Sequence, residues 1–381
     1  MTSVSADSPP RPPSPREGGA RFGPWLWSPR VDLGVFAGSA LVALALVLLA
    51  PALVGDAGEL PVWGFLAFVI VVDVAHVYAT LFRTYLDGAE LRRRPLLYAG
   101  VPLGCFAAGV ALHSASREWF WRCLAYVALF HFIRQQVGWV AIYRARAGLS
   151  RSRVDRVIDD AAIYAATLYP VLVWHASPRV FHWFVEGDFF DGRALSSVLP
   201  WAFALYVLVL AAYVARALQH ARRGTVPIGK HVVVITTVLT WYVGIVATNS
   251  DFTFTVANVI VHGVPYVAFL WFYARARAAD APRAAGSRVI LQGGLAAFCA
   301  VLIVIAFLEE MVWDRLVWQS HPQLFGGGDA GAPLLSAGLT AIVVPLLAVP
   351  QATHYVLDAV LWRRRDTGAA QARAMGFGVT A

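Results

Sequence analysis

The chain is poor in charge. Only 14% of its 381 residues are Asp, Glu, Lys or Arg, against about a quarter in soluble globular domains. Too little polar surface is available to clothe a soluble enzyme, and a disordered chain is excluded on the same ground. Lysine is almost missing: Lys230 is the only one, and arginine carries the rest of the formal charge of +8. Cysteine is scarce too. Cys105, Cys123 and Cys299 all fall inside apolar runs, which excludes a disulfide-built secreted module. No HExxH and no HxxxH pair occurs, so the zincin motif and the histidine boxes of di-iron desaturases are both missing. Strand-type alternation is absent, which excludes a membrane barrel. No signal peptide is expected, because the first apolar run starts late and is long enough to span. Gly326 to Gly328 reads as a loop and matches no phosphate-binding fingerprint.

What the chain has is apolar residues, 59% of the total, gathered in runs of roughly 20 as membrane-spanning helices require. Ten spans are predicted, at 32–54, 62–86, 95–113, 119–144, 157–176, 195–217, 231–249, 253–274, 289–311 and 334–362. This makes an all-α polytopic membrane domain over 31–362. A Pro- and Ser-rich tail with interfacial Trp25 and Trp27 precedes it over 1–30, and a short basic tail follows over 363–381.

The connections support an even count. One alternate set is rich in arginine, with Arg92 to Arg94, then Arg144 to Arg156, then Arg216 to Lys230, then Arg275 to Arg288. The other set holds most loop carboxylates, such as Asp56, Glu59, Glu186, Asp188 and Asp251. By the positive-inside rule both termini are cytoplasmic, in a bacterial-type inner membrane. The basic charge therefore belongs to one membrane face, and the expected partners are the bilayer and an apolar small molecule rather than nucleic acid.

The even-numbered spans carry the unusual polar residues: Asp73, His76, Thr80 and Arg83; His131, Arg134, Gln135 and Gln136; Asn258, His262 and Tyr266; Gln351, His354, Tyr355 and Asp358. Counted from cytoplasmic ends near 86, 144, 274 and 362, the four histidines lie 10, 13, 12 and 8 residues deep. At about 1.5 Å per residue that is one layer. Each has a polar neighbour three or four residues away on the same helix face, and Asp73, Gln135, Asn258 and Asp358 are the expected orienting groups.

Burying ionisable groups in hydrocarbon is costly, so four of them at one depth predict a shared site. Imidazole suits Fe, Zn and Cu, and the absence of thiolate partners with carboxylates nearby fits one non-haem Fe(II) held by His76, His131, His262 and His354. Two bis-histidine haems are the alternative, with Arg83 and Arg134 on propionates. A transport path through the same polar layer is a third reading, although the two halves show no clear repeat. Tyr266, Tyr355 and Arg134 are the candidate catalytic groups. Arg134 is expected to pair with Asp73, Asp160 or a substrate carboxylate, and Arg83 to snorkel to the interface if no haem is present.

Weaker signals accompany these. Asp159 and Asp160 are expected at a helix N-terminus. A looser outer set comprises His113, His175, His182 and His321 with Glu309 and Glu310. Phe181, Trp183, Phe184, Phe189 and Phe190 suggest an interfacial segment that lids an entrance. Gly34 with Gly38 and Gly100 with Gly104 form GxxxG pairs. Pro265, Pro345 and Pro350 are placed to bend helices beside the histidines.

Two stretches resemble a known family. Asp73 and His76 in VVDVAH, with His131 in ALFHF, resemble segments of Brp/Blh-type membrane dioxygenases. That resemblance implies a helical membrane fold in which histidines hold iron for oxidative cleavage of a carotenoid. The ending QATHYVLDAVLWRRR is similar to a tail recurring in uncharacterised bacterial membrane proteins and implies no activity.

Overall fold

The structure, a computed structural model, describes residues 22–55, 58–280, 287–327 and 334–361. Residues 1–21 of the predicted N-terminal tail, the last residue of the tenth predicted span and the whole predicted C-terminal tail, 363–381, lie outside the described residues. Among those described there are helices and no strands.

Ten helical segments follow the predicted runs. They are α1 Pro29–Val54, α2 Val62–Phe82, α3 Pro95–Ala115, α4 Arg117–Arg146, α5 Arg153–Ala176, α6 Arg193–Arg222, α7 Ile228–Ala247, α8 Asp251–Asp280, α9 Gly294–Trp318 and the bent α10, Ala337–Leu347 with Val349–Leu361. Eight are long and apolar enough to cross a membrane, and the bent pair makes a ninth if it counts as one span. The tenth segment, α4, is long enough at 30 residues but carries Arg117, Glu118, Arg122, Arg134, Arg144 and Arg146.

Local chemistry sets the ends. Ser28, Ser116, Ser152 and Ser336 accept backbone N–H bonds at the starts of α1, α4, α5 and α10, relieving donors that a helix leaves unpaired. Pro29 and Pro95 take the first turns of α1 and α3, where the missing N–H costs nothing.

The centre of the fold is α8, 78% of whose apolar window is buried inside the protein, against 11% for α3 and α6 and 17% for α9. The peripheral helices keep their leucines outward, as Leu48, Leu103 and Leu208 show. The predicted GxxxG pairs do not mark close packing: a Cβ at Gly34, Gly100 or Gly104 would meet nothing within 4 Å. The close approach lies elsewhere. A Cβ on Gly263 would stand 2.8 Å from the Val72 side chain and 2.9 Å from its carbonyl oxygen. Glycine there lets α8 lie against α2, one residue from His262.

Two helices depart from regular winding beside the polar layer. In α2 the turns are wide over Phe65–Val74, regular over Ala75–Ala79 and tight over Thr80–Phe82; wide turns of this kind favour functional sites. The halves of α10 meet at 41°, with Pro345 before the break and Pro350 just after it. Prolines withhold the N–H bonds that would keep such a helix straight.

Buried charges tie the ends of the bundle together. Lys230 Nζ lies 2.8 Å from Asp159, with both side chains only 2% exposed, and Arg144 bonds Asp159 and Asp160 at 3.4 and 2.9 Å. The Asp159 and Asp160 pair is thus part of an ion network and not, as expected, at a helix N-terminus: α5 begins at Arg153, and the acid in its first turn is Asp155. Asp159→Leu would strand Lys230, and it is expected to destabilise the protein by about 3 kcal/mol. Adding Lys230→Met should recover most of that loss. Denaturation midpoints in detergent measure both, and an unchanged midpoint for the single variant would count against the pair.

Candidate metal centre

The four histidines converge. His76 on α2, His131 on α4, His262 on α8 and His354 on the second half of α10 are each 5% exposed or less. One ring nitrogen from each lies within 4.8 Å of the others. They form two facing pairs: His76 Nε2 stands 3.1 Å from His262 Nε2, and His354 Nε2 stands 3.1 Å from His131 Nε2. The ring of His262 stacks on Phe132 with centroids 3.5 Å apart, which fixes its plane.

Oxygen atoms lie behind three of the rings. His354 Nδ1 is 2.7 Å from Thr80 Oγ1, Thr80 Oγ1 is 2.9 Å from the Tyr266 hydroxyl, and that hydroxyl donates to Asp358 Oδ1 at 2.8 Å. The other Asp358 oxygen is 4.0 Å from His131 Nδ1. Asp73 stands 3.5 Å from His76 Nδ1. With a proton on Nδ1 of His354, every bond in the chain to Asp358 runs donor to acceptor in one direction. His354 Nε2 then presents a lone pair to His131 Nε2 at 3.1 Å, which either an N–H of His131 or a cation between the rings satisfies.

The donor set fits a metal ion. With the farthest nitrogens 4.8 Å apart, a shared ion stands at least 2.4 Å from one of them, and metal–imidazole bonds are about 2.0–2.1 Å. An inward shift of the rings by at least a few tenths of an ångström therefore seats one ion among four nitrogens. The haem alternative needed two separated histidine pairs with a porphyrin in each gap, and a single group this tight has no such gap.

The predicted orienting and catalytic residues divide. Asp73 stands at His76, its neighbour on the same helix, whereas Asp358, expected behind His354, lies nearest His131 and reaches His354 only through Tyr266 and Thr80. Tyr266 reaches the site through Thr80, and the Tyr355 ring lies 4.9 Å from that of His131. Gln135 and Asn258 do not orient an imidazole: Gln135 Nε2 donates to the backbone carbonyl of His262, and Asn258 Nδ2 to that of Phe254. Arg134 is exposed and bonds the Tyr164 hydroxyl at 2.8 Å, on a face of α4 turned away from the histidines. It meets neither Asp73 nor Asp160, because the next turns of α4 carry Gln135 and His131 inward instead. Arg83 is fully buried and donates to the Leu361 carbonyl, so it is a cross-helix tie rather than a snorkelling anchor. Thr80 is the functional residue whose partner the sequence concealed. It sits four residues after His76, yet it bonds His354.

The looser outer set forms no close ligand group. His175 bonds Tyr126 and the Val171 carbonyl, while the exposed His182 and His321, which stacks on Phe65, line one cavity with Glu309 and Glu310. Among the described residues the four buried histidines are the only group of metal-ligating side chains gathered this way.

Two cavities flank the group and share Val77. One, of about 380 Å³, runs between α2, α3 and α10; its wall is almost wholly apolar and includes Thr80 and His354. The other, of about 580 Å³, ends on Asp73, Phe132, Asn258 and Gln351, all one turn or less in sequence from a histidine of the group. Trp183 and Phe184 of the aromatic α5–α6 connection line it, and Phe181 packs inward on Phe254 at 4.4 Å. That connection therefore folds over the bundle. Asp188 holds its turn by accepting N–H bonds from Trp183, Phe184 and Val185. Burial pushes the Asp188 carboxyl above its ordinary pKa, partly offset by those donors. No family model matches this chain, and no match is found among curated proteins or solved structures, so the meaning of the site rests on the geometry of its own residues.

Proposed function

We propose that the chain is a membrane-embedded, metal-dependent oxidoreductase. His76, His131, His262 and His354 hold one non-haem iron, and an apolar substrate reaches it from the lipid phase. The observation that carries this reading is the convergence of four buried imidazole nitrogens within 4.8 Å, with oxygen groups behind three of the rings. An all-nitrogen set suits iron, copper and zinc; the resemblance of the Asp73–His76 and His131 segments to carotenoid-cleaving dioxygenases favours iron. Ferrous iron there supplies electron exchange with oxygen. The chain's own residues keep water out, hold the proton of His354 on Nδ1 through Thr80 and Tyr266, and fix the His262 plane against Phe132. The apolar crevice beside His354 is the route of a hydrocarbon substrate.

Elemental analysis of the detergent-purified protein is expected to find iron at about one atom per chain, because pre-positioned buried ligands retain their metal, with no Soret band. Folded protein with neither metal nor haem would end the reading and return the polar layer to transport or packing.

The same proposal places ten spans in a bacterial inner membrane with both termini cytoplasmic, supported by the arginine-rich alternate connections. A reporter active only outside the cytoplasm is expected to give signal when fused after Asp56 and none after Arg94. Signal at both, or the reverse, would overturn that topology.

A further inference from the structure

The 580 Å³ vestibule has a chemistry of its own, not used by the metal group. Five carboxylates line it: Asp73, Glu186, Asp251, Glu309 and Glu310. No lysine or arginine is in its wall, and its basic side chains are two imidazoles, the exposed His182 and His321, which stacks on Phe65. Between the carboxylates stand indoles. Trp313 and Trp318 stack with centroids 5.4 Å apart, and Trp121 lies 5.2 Å from Trp318 and 6.1 Å from Trp313; all three face the cavity. At its inner end is Asn258, only 3% exposed, whose Nδ2 is bonded and whose Oδ1 has no hydrogen-bond partner. An acceptor buried without a donor costs about 1–3 kcal/mol, and a donor arriving with a ligand relieves it.

We propose that this vestibule binds an organic cation, an ammonium group carried on an apolar body. Several carboxylates in a low-dielectric recess create a negative potential that concentrates cations. Aromatic faces attract ammonium groups through their quadrupole, most strongly when water is excluded, and tryptophan does so best. A divalent metal needs several oxygen ligands converging at about 2.0–2.6 Å, and among the described residues these carboxylates do not gather into such a group. Glu309 already accepts from the Tyr78 hydroxyl, but an apolar molecule without charge would leave Asn258 Oδ1 without a donor and the carboxylate charge uncompensated. The bound cation stands beside Asp73, one contact from His76, and enters past the exposed Glu186 under Trp183 and Phe184.

The proposal does not rest on the metal. Tetrapropylammonium chloride, titrated calorimetrically into the full chain in a neutral maltoside detergent, is expected to bind saturably, while the uncharged analogue 4-propylheptan-4-ol binds at least about tenfold more weakly. Glu310→Gln and Trp318→Leu are each expected to weaken tetrapropylammonium binding by about tenfold. His175→Ala, a change outside the wall of this cavity, should leave it unchanged. Equal binding of charged and neutral probes by the wild-type protein, absence of saturation, or displacement of the probe by equimolar Mn²⁺ would each overturn the assignment. The comparison of probes on the wild-type chain requires no variant to fold.

Discussion

Replacing His262 by alanine is expected to lower metal affinity by more than about 100-fold, the upper range for losing a mere orienting group. Three imidazoles remain after the change, but the His76 nitrogen that faced His262 at 3.1 Å then faces a void. The same loss is expected for His354→Ala, which breaks the other pair. The cost to folding is smaller, because glycine-mediated packing of α8 on α2 at Gly263 does not use the ring. His175→Ala serves as the control. His175 also sits in a helix and makes two hydrogen bonds, but it belongs to the looser outer set. Elemental analysis and a thermal melt on the same samples separate the outcomes. Metal lost only in proportion to unfolded protein, or retained equally in His262→Ala and His175→Ala, would show that the four histidines pack rather than ligate.

Much of this arrangement was legible before the structure. Runs of about 20 apolar residues are long and repetitive signals, so the ten helical segments lie close to their predicted limits. Depth was legible as well, since helical rise is fixed: counting inward from the basic ends put His76, His131, His262 and His354 in one layer, and there they meet. Rotation was not. Same-helix spacing predicted Asn258 behind His262, yet Asn258 faces the vestibule. Thr80 was read with His76, yet the tight turn after Ala79 delivers it to His354. Arg134 fell on the wrong side for the same reason, because its direction depends on how α4 is turned against its neighbours. The glycine signals failed differently. GxxxG pairs are common in apolar helices, whereas the glycine that brings two ligand helices together, Gly263, stands alone. A close approach depends on the surface of the partner helix, here the Val72 backbone, and one strand of sequence does not contain it.

These rotations reorder the expected effects of mutations around the site. Asp358→Ala is expected to weaken metal binding by about 10–100-fold, more than any other change outside the four histidines. Asp358 is the one carboxylate that reaches two ligands, His131 directly at 4.0 Å and His354 through Tyr266 and Thr80. Without it the chain of donors has no terminal acceptor. The proton on His354 Nδ1 is then no longer held there, and a shift to Nε2 would occupy the nitrogen that the metal needs. Thr80→Val tests the same chain at its first link. The side chain keeps its shape but loses the oxygen 2.7 Å from Nδ1, so the effect should sit near the lower end, about tenfold. Asn258→Ala, which same-helix spacing would have ranked with Asp358, is expected to leave affinity unchanged, because its amide bonds the Phe254 carbonyl and touches no imidazole. Competition with a chromogenic chelator gives all three affinities on folded protein. An Asn258→Ala loss as large as that of Asp358→Ala would mean that tautomer control does not run through Thr80 and Tyr266, and that the oxygen groups behind the rings act only through general polarity of the layer.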